Sequence, residues 1–127
     1  MTGLGMVSIV VDDYDKAIAH YCDDLGFKLV EDTKLDDVKR WVVLSTGSTG
    51  MNILLAKASN EAQVAAIGNS TGGRVAFFLY TANFDETYAD YQKHGVEFTE
   101  QPRNEKFGKV IVFKDAYGNK WDLIERR

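Results

Sequence analysis

The chain holds one cysteine, one proline and two histidines in 127 residues. A single thiol, Cys22, excludes an intramolecular disulfide and any cysteine-based zinc site. It sits in a helical pattern and reads as a structural thiol rather than a nucleophile. No run of basic residues exists beyond Arg126-Arg127, and the net charge is −4 with a pI near 5.1. Nucleic acid is therefore not an expected partner. No apolar run approaches the roughly 18 residues that would suggest a membrane span. The first eleven residues show neither a positive stretch nor a cleavage site. The expectation is a soluble, cytoplasmic protein that does not engage a membrane. A Ser-His-Asp arrangement, a phosphate-binding glycine loop and a paired-histidine metal motif are all missing.

What is present is globular: 45% hydrophobic and 12% aromatic residues, in a length that suits one domain. Residues 6–11 form a β-branched run that predicts a strand, and Asp12-Asp13 offers a helix cap. Ala17, Tyr21 and Leu25, with Tyr14 and Ile18 beside them, predict a helix over 14–25, ended by Gly26. Strands are expected over 27–33, 40–45 and 51–56, with Asp36-Asp37 turning the first pair. Ser59 is expected to cap a short helix before Gly68, and residues 69–73 read as a flexible linker. A second series follows: a strand over 74–80, a helix over 84–94 capped by Asn83, a strand over 96–100, a loop over 101–107 and a strand over 109–114. The closing strand comes after a turn at Asp115–Asn119. In it Trp121 and Leu123 alternate with Lys120, Asp122 and Ile124, so Asp122 faces away from a large aromatic.

The order is βαβββ, linker, βαβββ. Tyr14-Asp15, Ala19-His20-Tyr21 and Gly26 line up with Phe84-Asp85, Ala89-Asp90-Tyr91 and Gly95, an internal repeat. This predicts an α+β fold of two tandem βαβββ modules: module 1 over about 4–57, a linker over about 58–73 and module 2 over about 74–127. Each sheet would be covered on one face by its helix.

The pattern resembles the vicinal oxygen chelate superfamily, which includes glyoxalase I, extradiol dioxygenases and bleomycin resistance proteins. The residues that carry it are Val10–Ala17, Tyr21 with Leu25-Gly26-Phe27, Gly95–Phe98, Phe113–Asp115 and Gly118-Asn119. The resemblance implies a cup-shaped mixed sheet, often in a homodimer, with a divalent metal held by His, Gln or Glu. Carried over one at a time, the metal-ligand positions fall at Met6, Leu54, Arg74 and Asp122. Only Asp122 is a good hard donor, so no metal cofactor is expected. That departure is similar to the bleomycin-resistance type of protein, which binds a small organic molecule. The alternative is a glyoxalase-like lyase or isomerase, or a dioxygenase-like enzyme, with an atypical metal site. In it Asp122 would serve as base and Arg74 as oxyanion stabiliser.

Within such a cup, Arg74 and Asp122 are expected as cross-strand neighbours. They form either a clamp on a ligand or an ion pair that replaces the metal. Met6, Ser8, Asn52, Leu54, Val110, Val112 and Lys120 are expected on the same lining, largely apolar as small-molecule pockets are. The side faced by Trp41 is open in Arg40–Leu44, where apolar residues do not alternate. Core is the favoured reading, stacking on a flat ligand the other. Phe107 is expected at a lid edge.

Overall fold

The computed structural model describes all 127 residues. The chain forms two compact units, Met1–Ile67 and Gly68–Arg127, each with its own sheet. The boundary falls inside the linker predicted over 58–73.

The first unit contains β1 (Met6–Val11), α1 (Tyr14–Ala19), β2 (Lys28–Lys34), β3 (Arg40–Ser45), β4 (Asn52–Lys57) and α2 (Glu61–Ala66). Asp13 caps α1 by accepting the Lys16 N–H at 2.9 Å, which satisfies one of the amides left free at a helix start. The helix predicted to reach Leu25 is regular only to Ala19 and then widens into a π-helical turn, His20–Asp24. There the Leu25 N–H reaches back five residues to the His20 carbonyl, and His20 Nδ1 lies 2.9 Å from Asp24. For α2 the cap is Asn60, not Ser59. Asn60 accepts from the Gln63 N–H, while the Gln63 side chain receives the backbone and hydroxyl of Ser59.

The sheet order is β1-β4-β3-β2, with β1 and β4 parallel. Ile9, Val11, Val42, Leu44, Ile53 and Leu55 all turn to one face and are buried, as are Tyr14, Ala17, Tyr21 and Leu25 of the helical segment. Each of the larger aliphatic side chains stabilises the fold by about 1.5–3 kcal/mol, against at most ~1 kcal/mol for an exposed pair such as Lys16–Asp12. The alternation of apolar side chains therefore decides this unit's architecture.

The second unit contains β5 (Val75–Tyr80), α3 (Phe84–Lys93), β6 (Glu97–Phe98), β7 (Arg103–Glu105), β8 (Gly108–Lys114) and β9 (Lys120–Arg126). Its order is β5-β9-β8-β6, with β7 also paired to β8. Strand β7 lies in the stretch predicted as a loop; three residues suffice because a tight turn at Lys106-Phe107 folds them onto β8. Asn83 caps α3 by accepting from the Glu86 N–H, and Glu125 of β9 accepts the Phe84 N–H at 2.8 Å. The helix is thus tied to the closing strand at its first turn. Its Tyr91 meets Phe113 edge-on at 5.4 Å, Phe113 stacks on Trp121 at 5.8 Å, and Phe77 tilts onto Trp121 at 4.6 Å. This aromatic cluster is the core of the second unit.

The turn between β8 and β9 is built around Asp115, which is 5% exposed. Its carboxylate accepts the backbone N–H groups of Tyr117 and Asn119, the Asn119 side-chain amide and the Trp121 indole N–H. One side chain therefore shapes the turn and orients the largest core residue.

Candidate functional site

With Trp121 and Leu123 packed toward α3, the alternate residues of β9 face the other way. Lys120, Asp122 and Ile124 align with Lys114, Val112 and Val110 across the antiparallel β8 ladder. On the parallel side, Val75, Phe78 and Tyr80 align with Lys120, Asp122 and Ile124. The register shifts between Val75 and Phe77. This bulge turns Phe77 onto Trp121 and leaves Phe78 beside Asp122. Phe78 and Tyr80 are 57% and 53% exposed, whereas Val110 and Ile124 are buried. The face is thus an apolar floor with two open aromatic rings and one carboxylate, and with Lys114 and Lys120 at one end.

Asp122 is the uncompensated group on this face. Its Oδ1 is sealed from solvent and has no hydrogen-bond partner. Burial holds its carboxyl above the ordinary carboxylate range; Arg103 draws it back down and Glu100 pushes it up. Arg103 itself is committed elsewhere. Its Nε lies 3.0 Å from Glu100 Oε1, and it also pairs with Glu105. Glu100 Oε1 accepts the backbone N–H of Val112 at 3.1 Å, filling a gap in the ladder between β6 and β7. Lys120 donates to the Gly73 carbonyl at 3.0 Å, and Arg126 lies 4.2 Å over the Tyr80 ring.

These positions correct part of the expected site. Arg74 is not the neighbour of Asp122. It precedes β5, is exposed, and stands four residues, roughly 13 Å of strand, from Phe78, which takes the place beside Asp122. Parallel register, set by the bulge, decides this. Trp41 is not core: Val42 and Leu44 take the helix-facing side, and Trp41 lies on the opposite face with 36% exposure. Phe107 sits in the β7–β8 turn, 53% exposed. On the first sheet, Met6 lies beside Asn52 and Ser8 beside Leu54, on the face away from the buried Ile9 and Leu55. Cys22 is half-buried, and burial raises its thiol pKa, which keeps it protonated and poorly nucleophilic.

The sequence reading missed Phe78, Tyr80, Glu100 and Arg103. Phe78 and Tyr80 are two apart in a strand, a signal of a shared face. Glu100 and Arg103 are opposite charges three apart around Pro102.

The positions that the fold resemblance assigns to a metal do not form a donor set. Met6 offers a thioether, Leu54 nothing, and Arg74 a cation outside the strand. No group of three or more His, Cys, Asp or Glu side chains is placed to share an ion. A single half-buried carboxylate does not fit a resident divalent metal, which needs about three protein ligands or a set of oxygens.

The state of Asp122 has a stability consequence. Its folded pKa is raised, so the shift stabilises the fold in acid and that contribution is lost as pH rises through the folded value. Asp122→Asn is therefore expected to raise stability at pH 7 by about 1 kcal/mol, the low end for an unsatisfied polar group because water screens the exposed part. Urea melts at pH 7 and below about pH 4 should show the gain at the first and its disappearance at the second. A uniform gain at both would mean that ionisation is not its source.

Comparison with known proteins agrees with the fold. The family model for the Glyoxalase/Bleomycin resistance protein/Dioxygenase superfamily matches residues 3–123. An uncharacterized protein of Shewanella frigidimarina (strain NCIMB 400) is 46% identical over 121 residues, covering 94% of this chain and 90% of that one. A crystal structure of a superfamily member from Sphaerobacter thermophilus DSM 20745 is 27% identical, with a TM-score of 0.79 and coverage of 99% and 98%. TnmS3, an antibiotic binding protein from Streptomyces sp. CB03234, shares the fold at 23% identity, with a TM-score of 0.79 and coverage of 100% and 98%. No helix of the chain is long and apolar enough to cross a membrane. With its two helix-backed sheets and a matching model over nearly its whole length, the chain belongs to the Glyoxalase/Bleomycin resistance protein/Dioxygenase superfamily.

Proposed function

We propose that this protein binds a small organic molecule without a metal, in the manner of a bleomycin-resistance protein, and that Asp122 is the polar anchor of its ligand. The observation that carries the reading is Asp122, whose Oδ1 is unpartnered, on a face where Val110, Val112 and Ile124 adjoin it and Phe78 and Tyr80 stand open beside it. A buried polar atom left unpaired costs about 1–3 kcal/mol; Oδ1 is closed to a ligand as it is to water, so a ligand donor meets the same carboxylate at its other oxygen, which is not sealed. Ligand sites are mostly apolar surfaces with a few placed polar groups, and this face has that composition. The antibiotic-binding TnmS3 is a neighbour in fold, which supports a carrier or sequestering role over chemistry. The carboxylate nearest to Asp122 in effect, Glu100, is engaged by Arg103 and the Val112 amide rather than poised as its acid–base partner.

The test is a thermal-shift screen of organic small molecules, followed by titration calorimetry with and without EDTA. A ligand at about one hundred times its Kd stabilises by ~2.7 kcal/mol, several degrees in Tm. Binding is expected to survive EDTA unchanged and to weaken about tenfold or more in Asp122→Asn, the loss of one charge-assisted hydrogen bond. Metal retained at one ion per chain, or affinity abolished by EDTA, would overturn the reading in favour of a glyoxalase-like enzyme.

A further inference from the structure

The second sheet also indicates what kind of molecule it takes. We infer that the ligand is a flat aromatic molecule carrying a hydrogen-bond donor and no acid group, with its ring against Phe78 and Tyr80 and its donor on Asp122. This rests on the proposed binding function and narrows it.

Three observations converge. Phe78 and Tyr80 are large apolar side chains exposed by more than half, adjacent on one face of one strand, and Phe78 stands directly beside Asp122 in the ladder. Isolated exposed aromatics are common on proteins; a pair aligned over a buried apolar floor next to an unpaired carboxylate is a recognition surface. Rings of this kind hold flat ligands through offset or edge contacts. Next, the charges decide polarity. Arg103, the cation that acts on Asp122, is held by Glu100 and Glu105, while Lys120 is turned to the Gly73 carbonyl and Arg126 to the Tyr80 ring. The carboxylate of Asp122 alone is without a partner. An anionic group placed on Asp122 would meet a like charge, with Arg103 beside it already paired. A phenol, amine or amide N–H would satisfy it. Lastly, Arg126 over Tyr80 backs that ring from the β9 side, which restricts its motion and lowers the entropy lost on stacking.

Because a donor favours the ionised form of Asp122, its raised pKa falls on binding. In the acid range where the free carboxyl is partly protonated, binding therefore releases protons and affinity rises with pH.

The probes are three acridines of one shape: an aminoacridine, unsubstituted acridine and an acridine carboxylate, each titrated calorimetrically into the intact protein. The aminoacridine is expected to bind about tenfold or more tightly than the carboxylate, with unsubstituted acridine between them. Phe78→Ala and Tyr80→Ala remove exposed side chains and should leave the fold intact, as checked by unchanged unfolding midpoints; each should weaken the aminoacridine about fivefold to tenfold. Asp122→Asn should bring the aminoacridine and unsubstituted acridine to similar affinities and abolish proton release. Equal or tighter binding of the carboxylate, indifference to both aromatic substitutions, or no binding of any acridine would overturn this inference. The broader reading would survive those results if a ligand from the screen still depended on Asp122, and would fall with them if none did.

Discussion

Replacing Asp115 by alanine should destabilise the protein by about 3–5 kcal/mol, among the larger effects available to one side chain. Four donors converge on this carboxylate: two backbone amides, the Asn119 side chain and the Trp121 indole. Asp115 and Asn119 are each 5% exposed, and Trp121 is 2% exposed, so water cannot replace the lost acceptor for most of these donors. The penalty is that of buried donors left unpaired, which exceeds the net value of the bonds themselves. Asp115→Asn keeps the shape but turns one acceptor into a donor facing donors, and should cost about half as much. Urea unfolding followed by tryptophan fluorescence measures both. A loss below about 1 kcal/mol for the alanine variant would mean that the turn holds its shape by backbone bonds alone.

That network shows where sequence reading stops. The turn itself was legible, because Asp-x-x-Gly-Asn has the residues a tight reversal needs. The alternation after it was legible too: Trp121 and Leu123 are core, and Asp122 faces away from them. Helix starts at Asp13 and Asn83 followed from residues whose side chains accept free amides. What was hidden depends on distance in sequence. The Trp121 indole bond to Asp115 joins a turn residue to a core residue. The neighbour of Asp122 across the parallel ladder is set by a bulge in β5 that no local pattern announces, so the sequence points to Arg74 where the structure has Phe78. Trp41 lies in a run apolar on both faces, and only burial of Val42 and Leu44 against the helical side settles its direction. Alternation places Asp122, Lys120, Val110 and Val112 on one face from sequence, then, while Phe78 and Tyr80 beside them could not be placed, since register belongs to tertiary pairing.

The same register rests on a glycine. Gly108 opens β8 opposite Arg126 of β9, with φ of 152°. A Cβ there would fall onto the carbonyl oxygen and carbon of Glu125, well inside van der Waals contact. The obstacle is backbone rather than a flexible side chain, so the strands must separate or the turn must rebuild. Gly108→Ala should cost about 3 kcal/mol or more, combining a disfavoured φ with the clash. Gly118→Ala is the control. It also has a positive φ, 94°, but its added Cβ would meet nothing within 4 Å, so it should lose only about 1 kcal/mol. The difference between the two isolates close packing from backbone preference. It bears on function because β8 and β9 carry Val110, Val112, Asp122 and Ile124 in matched rows. Forcing them apart at Gly108 should loosen Arg126 from Tyr80 and disorder the aromatic edge of the site first. Hydrogen exchange should accordingly rise at Gly108–Val110 and Ile124–Arg126 before it rises at the Asp115 turn. Uniform exchange along both strands would mean that the ladder fails as a unit, with no separate dependence of the aromatic edge on Gly108.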